Sequence, residues 1–270
     1  MSECIHGLDE ELCDICSPRK PDEPPEAVAA PRTRSPRTAP RAPGAARAAT
    51  MKSPPRVTTS RRPVVEALPD VDLAAMRVHH FTHVSNLEAI LADGFLRAGV
   101  TPEFDVSSTE LRARRLVATV PEGPPLAEYV PFSLSPDARS WNEVRAGAEG
   151  PTWSDAARSA RVNDFVLLVL PVSALGDDFV VTDGDATAPL TRFGAGFGAG
   201  GALVRRAAFS DPDLLGVEIL VPGAVDLTAV TLIGVPNDRM RDRVKSLVKD
   251  GGGAAPRVSI YPPWFRPSAD

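Results

Sequence analysis

The sequence predicts an α+β fold, a single domain of short strands with few helices, preceded by a disordered basic linker and a small zinc-knuckle-like segment. All 15 aromatic residues lie at or after Phe81, so only the later part of the chain can build a core. Short apolar runs alternate with turns that contain Pro or Gly, and few segments have helical spacing. The regular strand–helix alternation of a doubly wound sheet is missing from the pattern.

The first 18 residues hold all three cysteines, in the pattern Cys4-x-His6-x6-Cys13-x2-Cys16. Three thiolates and one imidazole suit a tetrahedral Zn²⁺, and the metal would supply the folding free energy that so short a segment lacks. We therefore predict a structural zinc site over residues 1–18. An unstructured tail with reactive thiols is the alternative, and a role in protein docking or in DNA contact stays open.

Residues 19–70 are predicted to be a disordered linker rich in Pro, Arg and Ala. Eleven prolines fall between Pro18 and Pro63, and residues 19–62 carry a net charge of +8, against −8 for residues 63–270. A flexible basic arm is typical of a nonspecific nucleic-acid tether. The alternative is a linker whose arginines reflect only a biased composition.

The domain itself is expected over residues 71–270, in a cytoplasmic protein without membrane contact. It contains no cysteine, which argues against disulfides and for a reducing compartment. No segment reaches the roughly 18 apolar residues that crossing a bilayer requires, and the N-terminus lacks the apolar region of a signal peptide.

Within the domain, RVHHFT predicts a strand and VSNLEAILAD a helix, with Thr82 or Ser85 as its N-cap and Gly94 after its end. DFVLLVLP has the continuous apolar pattern of a strand buried on both faces. NDRMRDRVKSLVKD predicts a helix with an Asn cap, and the polar, arginine-rich STELRARRLVATVPEGPP has low apolar periodicity at its end. The glycine-rich RFGAGFGAGGALVRR lacks the Lys-Ser/Thr of a phosphate loop, no helix clearly follows it, and it is predicted to be a mobile loop. Further strands are predicted at YVPFSLS, FVVTD, GVEILVP, AVTLIGV and RVSIYPPWF.

Two features of the domain indicate chemistry. Glu218 lies in an otherwise apolar strand, where a carboxylate is unfavourable unless it faces a polar cleft or is paired. Three of the four histidines, His79, His80 and His83, fall within five residues. Neighbouring residues of a strand point to opposite faces, which is poor geometry for joint metal ligation by His79 and His80.

Four blocks in order resemble the DarT family of DNA-modifying ADP-ribosyltransferase toxins, which use NAD. They are HHFTHVSNLEAIL, LRARR, LAEYVPFSLSP and GVEILVPGAVDLTAVTLIGV, and they extend over residues 78–235. The resemblance implies an ADP-ribosyltransferase domain and leaves the N-terminal segment as an addition to it.

The resemblance also implies roles for individual residues. Glu218 is the expected catalytic base, and Arg115 the expected catalytic arginine, favoured over Arg112 and Arg114. His80 is expected to bind a ribose hydroxyl of NAD and Phe81 to offer its backbone to the nicotinamide amide. The other expected NAD contacts are Thr82, His83, Asn86 and Arg114.

The implied function is transfer of ADP-ribose from NAD to a base in single-stranded DNA, in a toxin or phage-defence protein. An antitoxin or ADP-ribosyl hydrolase on another chain is an expected partner. The acidic charge of the domain favours an alternative in which the acceptor is protein or RNA. A further alternative is a non-enzymatic adaptor that binds nucleic acid through a zinc knuckle.

Overall fold

The computed structural model describes residues 69–251 and 256–267. The predicted zinc ligands Cys4, His6, Cys13 and Cys16 lie outside the described residues, as does the predicted linker up to residue 68. The zinc site and the disordered arm therefore stay predictions.

The described residues form ten strands and six α-helices. The strands are β1 (Arg77–His83), β2 (Phe95–Arg97), β3 (Tyr129–Ser133), β4 (Phe165–Pro171), β5 (Val180–Thr182), β6 (Phe193–Ala195), β7 (Glu218–Pro222), β8 (Ala224–Asp226), β9 (Leu232–Val235) and β10 (Arg257–Ile260). The helices are α1 (Val84–Asp93), α2 (Thr109–Val117), α3 (Arg139–Arg145), α4 (Asp155–Ser159), α5 (Gly201–Ser210) and α6 (Asp238–Asp250). Over these two stretches, no helix combines the length and apolar character needed to cross a bilayer.

Eight of the strands form one sheet in the order β10-β9-β4-β1-β3-β7-β5-β6, while β2 and β8 pair separately. Neighbours in the large sheet run antiparallel, apart from the parallel pair β9 and β10. The predicted α+β class is confirmed. β4 occupies an inner position, and six of its seven residues are buried, as its continuous apolar run predicts.

Three apolar clusters hold the sheet to the rest of the domain. The main cluster packs α1, α5 and α6 against the sheet through residues such as Leu87, Val204 and Val244. A second cluster is aromatic and joins α3, α4 and the C-terminal segment around Trp141 and Phe165. A third, smaller cluster consists of Val120, Leu126, Tyr129, Ala186 and Leu220.

The two helices predicted from apolar spacing are confirmed, with one correction. α1 ends at Gly94, whose φ of +76° is the left-handed conformation that glycine adopts readily. Its N-cap, however, is His83 rather than Thr82 or Ser85: the Ser85 N–H donates to His83 Nδ1 at 3.3 Å. An imidazole nitrogen takes the acceptor role that a hydroxyl usually fills. α6 begins after Asn237, whose Oδ1 accepts from the Met240 N–H.

The prediction of a mobile glycine-rich loop is wrong. Gly196–Gly200 forms one turn of π-helix that continues directly into α5. The apolar residues of α5 are buried in the main core, and this packing outweighs the weak helix propensity of glycine. Two glycines are required by close approach: a Cβ on Gly200 would lie 2.6 Å from Val181 Cγ2, and one on Gly194 would lie 2.7 Å from the Ala199 carbonyl oxygen.

α2 forms in the polar, arginine-rich passage, where no helix was predicted. None of its residues is buried, so no apolar stripe exists to reveal it. Its N-terminus is fixed locally, because the Ser108 Oγ accepts from the Leu111 N–H at 3.1 Å. This helix carries the three arginines from which the catalytic one was predicted.

Candidate active site

A cleft opens where β1 and β3 separate in the middle of the sheet. β1 pairs with β4 along its whole length but with β3 only at His79 and Ser133. The cleft has a volume of about 810 Å³, which falls within the range of about 300–1,000 Å³ typical of cofactor and ligand sites. Seven of the eight residues predicted for catalysis or NAD binding line it: His80, Phe81, Thr82, His83, Asn86, Arg115 and Glu218.

His80 presents one ring nitrogen to this cleft as an acceptor. Its Nδ1 lies 2.9 Å from the Pro131 carbonyl oxygen, which can only accept, so Nδ1 carries the hydrogen. Burial lowers the pKa of His80, and the Pro131 carbonyl acts in the opposite direction. The neutral ring therefore leaves Nε2 as a hydrogen-bond acceptor for a hydroxyl group.

His79 belongs to the opposite face of β1, as strand alternation predicts. Its ring contacts Trp264 edge-on, with ring centroids 5.7 Å apart. Burial lowers its pKa to about 4, so the ring is neutral at physiological pH. In the stretches 69–251 and 256–267, no group of three or more His, Cys, Asp or Glu side chains is arranged to hold a metal ion.

Phe81 offers its backbone to the cleft, because its ring is engaged elsewhere. The ring stacks on Trp141, with centroids 5.0 Å apart, inside the aromatic cluster. The backbone carbonyl of His79 points toward β3, since it accepts a hydrogen bond from the Ser133 Oγ at 3.3 Å. Alternate residues of a strand direct their peptide groups to the same edge. The peptide groups of Phe81 therefore face β3 beyond the last pair, where the cleft begins.

Asn86, Thr82 and His83 hold the rim of the cleft in place. The Asn86 Nδ2 donates to Thr82 Oγ1 at 3.1 Å and to the Phe104 carbonyl at 2.9 Å. The Phe104 N–H donates back to Asn86 Oδ1 at 2.8 Å, and the Phe104 ring stacks on His83 at 3.9 Å. The loop that contains Phe104 is thus fixed beside β1 by a two-way amide contact and a stacked pair.

The three arginines of α2 have different surroundings. Arg112 forms an ion pair with Asp105 and donates to the Ser107 carbonyl, which ties α2 to the rim loop. Arg114 is not among the residues that line the cleft, and its buried Nε has no hydrogen-bond partner among the described residues. Arg115 lines the cleft, and its Nη2 donates to the Leu126 carbonyl at 2.9 Å and lies 3.4 Å from that of Tyr129.

Glu218 begins β7 and lies between Ser133 of β3 and Thr182 of β5. Its Oε2 is buried and has no hydrogen-bond partner in the part of the chain that the structure describes. Burial raises the pKa of Glu218 to about 7, while the positive charge of Arg115 lowers it and Asp185 raises it further. A carboxyl group with this pKa can accept a proton close to neutral pH.

Two residues that act on Glu218 could not be assigned to the site from the sequence. Asp185 and Ala186 belong to the connection between β5 and β6, and both act on the pKa of Glu218: the Asp185 charge raises it and the Ala186 backbone N–H lowers it. Only the pairing of Thr182 with Glu218 in the sheet brings this connection to the site. Long-range pairing of this kind leaves no local pattern in the sequence.

Residues 79–205 match the family described as ssDNA thymidine ADP-ribosyltransferase, DarT. Comparison with curated proteins found no significant match.

Solved structures with the same fold carry related descriptions. Thermus sp. 2.9 DarT in complex with ADP-ribosylated ssDNA is 24% identical, with a TM-score of 0.60 over 70% of this chain and 96% of that one. The same protein in complex with NAD+ gives a TM-score of 0.58 at 24% identity, over 73% and 99% of the two chains. Thermosipho africanus DarTG in complex with ADP-ribose is 15% identical, with a TM-score of 0.56 over 70% of this chain and 51% of that one.

Proposed function

We propose that this protein is a member of the DarT family, whose model matches residues 79–205, and that it transfers ADP-ribose from NAD+ to a thymidine base in single-stranded DNA and releases nicotinamide. One observation carries the proposal: a buried carboxylate, Glu218, shares a cleft of cofactor size with the cationic Arg115. The Thermus DarT structures with NAD+ and with ADP-ribosylated ssDNA support both the donor and the acceptor.

NAD+ binds along β1 in this proposal. His80 accepts a hydrogen bond from a ribose hydroxyl through Nε2, since Pro131 occupies its Nδ1. The peptide groups of Phe81 pair with the nicotinamide amide, which has one acceptor and two donors to match them. Thr82, His83 and Asn86 contribute by keeping the rim loop closed on this side of the cleft.

The bond that breaks joins the nicotinamide nitrogen to the ribose anomeric carbon, and its electron pair leaves with nicotinamide. The ribose then passes through an oxocarbenium-like state, whose positive charge the Glu218 carboxylate stabilises. Arg115 provides a fixed positive charge suited to the pyrophosphate. Arg114, which the resemblance also assigns to the cofactor, precedes Arg115 in α2 and is not among the residues that line the cleft.

Glu218 then acts as the general base. The free ring nitrogen of thymine carries a proton at neutral pH, so attack through this atom requires its removal. The new bond joins that nitrogen to the anomeric carbon, and the proton passes to the Glu218 carboxylate. The products are ADP-ribosylated DNA, nicotinamide and one proton.

The acceptor is tested by incubating the full-length chain with NAD+ and single-stranded oligonucleotides that differ only in whether they contain thymidine. Mass spectrometry should find one added ADP-ribosyl group on the thymidine-containing strand and none on the matched strand without thymidine. Modification of added RNA or protein in place of DNA would select the alternative acceptor that the acidic domain favours. NAD+ binding without any transfer would leave only the adaptor hypothesis.

Several finer assignments belong to the same proposal. Residues 19–62 hold DNA through their basic side chains, and Cys4, His6, Cys13 and Cys16 bind a structural Zn²⁺. The protein acts in the cytoplasm, and an antitoxin or ADP-ribosyl hydrolase on another chain opposes it. Zinc content measured on the purified full-length chain, beside a Cys13→Ser/Cys16→Ser double variant, tests the metal site directly.

A further inference from the structure

The connection between β5 and β6, residues 183–192, begins next to Thr182, the residue of β5 that pairs with Glu218. It starts beside the strand pair Thr182–Glu218, and Thr182 is fully buried. The Thr182 Oγ1 donates to the Gly184 carbonyl at 2.7 Å, which turns the chain away from the strand at this point. The next two residues, Asp185 and Ala186, act on the pKa of Glu218.

Internal hydrogen bonds make this 183–192 loop a defined structure. At its base, Asp183 accepts from the Arg192 backbone N–H at 2.8 Å and from Arg192 Nε at 2.6 Å. At its turn, Asp185 Oδ1 accepts from both the N–H and the hydroxyl of Thr187, each at 2.8 Å. The Thr191 hydroxyl closes the loop by donating to the Asp185 carbonyl.

Packing fixes the orientation of Ala186 at the centre of the loop. Ala186 is 5% exposed and lies in the third apolar cluster with Leu126, Tyr129 and Leu220. Leu220 lies two residues after Glu218 on the same strand, so both side chains share one face of β7. The same cluster contains the residues whose carbonyls bind Arg115. One small core therefore supports both partners of the proposed catalytic pair.

We propose that the 183–192 loop is a positioning element for Glu218, in which the Ala186 N–H orients the carboxylate and Asp185 places a second negative charge beside it. The inference rests on the proposed function and names residues that the family resemblance did not assign.

Charges from two elements act on Glu218. Arg115 of α2 favours its ionised form, and Asp185 of the loop opposes it. The strands on either side contribute Ser133 and Thr182, neither of which titrates. Because Asp185 is exposed, water screens its charge and weakens its effect on the pKa of Glu218.

The test is a pH titration of the full-length chain labelled with ¹³C at the glutamate carboxyl carbons and with ¹⁵N, followed by NMR. The resonance of Glu218 is identified by its loss in Glu218→Gln. Asp185→Asn removes the charge but keeps an oxygen for Thr187, and we expect the pKa of Glu218 to fall. Asp242→Asn makes the same charge change on exposed α6 and should leave that pKa in place. The acid limb of the pH–rate profile for DNA modification should move in the same direction as the pKa.

The Ala186 amide gives a second readout that needs no loop variant. Its proton shift should show a transition near pH 7 that follows the ionisation of Glu218 in the wild type, and this transition should be absent in Glu218→Gln. An Ala186 amide that ignores Glu218, or a pKa that moves equally in Asp185→Asn and Asp242→Asn, would overturn the inference. Both titrations work without an acceptor, so a wild type that modifies no DNA would remove the proposed function and leave the loop still testable.

Discussion

Replacing Glu218 with Gln should stabilise the protein above neutral pH while removing its activity. Burial raises the pKa of Glu218 from 4.5 to about 7, and each pKa unit corresponds to about 1.36 kcal/mol. Between these two values the unfolded chain has released a proton that the folded protein still holds, so folding stability falls as the pH rises. The loss amounts to about 3 kcal/mol at pH 8 and about 1 kcal/mol at pH 5. Because Gln cannot ionise, the Glu218→Gln variant does not lose this folding stability as the pH rises.

Urea denaturation of the wild type and Glu218→Gln, at pH values from 5 to 8, measures the prediction. The difference in unfolding free energy should grow in favour of the variant by about 2 kcal/mol across this range. Glu88→Gln, an exposed position on α1, is the matched control and should run parallel to the wild type. Parallel curves for Glu218→Gln would refute the reasoning, because they would mean that the fold does not disfavour the charged carboxylate.

Four further predictions concern the cleft, the core and the arm. Arg115→Gln should lower the single-turnover transfer rate by about 10²–10³-fold, the usual effect of losing one electrostatic stabiliser, and Arg115→Lys should recover part of it; an unaffected rate would remove Arg115 from the mechanism. His80→Ala should weaken NAD+ binding in calorimetry by about 1 kcal/mol, the net contribution of one hydrogen bond, and unchanged affinity would argue against that contact. Gly200→Ala should lower the unfolding free energy by about 1–3 kcal/mol through overpacking against Val181, and an unchanged urea midpoint would contradict the close approach. Removing residues 1–62 should weaken DNA binding in fluorescence anisotropy far more at low than at high salt; a difference independent of salt would exclude an electrostatic arm.

Much of the fold could be predicted because its main elements carry local patterns. β4 is apolar at every buried position, and α6 repeats Met240, Val244 and Val248 on its inner face behind an Asn cap. β1 and α1 likewise follow from alternation, helical spacing and Gly94. Where the pattern was weak, helices were missed. α2 buries none of its residues and no structure was predicted for it, while the run of glycines at the start of α5 was predicted to be a mobile loop.

The candidate site likewise has residues that could be predicted from the sequence and contacts that could not. The grouping of His80, Phe81 and Asn86 came from the DarT resemblance, and their closeness in the sequence puts them on β1 and the first turn of α1. Glu218 could be recognised because a carboxylate in an apolar strand is unusual. Its contact with Asp185 and Ala186 depends on the pairing of β5 with β7, which no local sequence feature specifies.

The position at which the cleft opens is also a property of the sheet as a whole. β1 loses β3 as a partner after His79, and the peptide groups of Phe81 face the gap for that reason. The composition of either strand contains no information about where they separate. Individual residues could thus be predicted from the sequence, whereas the space between them could not.

The central claim is tested most directly by incubating the full-length chain with NAD+ labelled in the adenylate and a thymidine-containing single-stranded oligonucleotide, with Glu218→Gln in parallel. The account predicts label on the DNA with the wild type, release of one nicotinamide for each ADP-ribose transferred, and no label with Glu218→Gln. Equal labelling by both proteins would contradict the role of Glu218. A wild type that binds NAD+ but leaves the DNA unlabelled would contradict the proposed function.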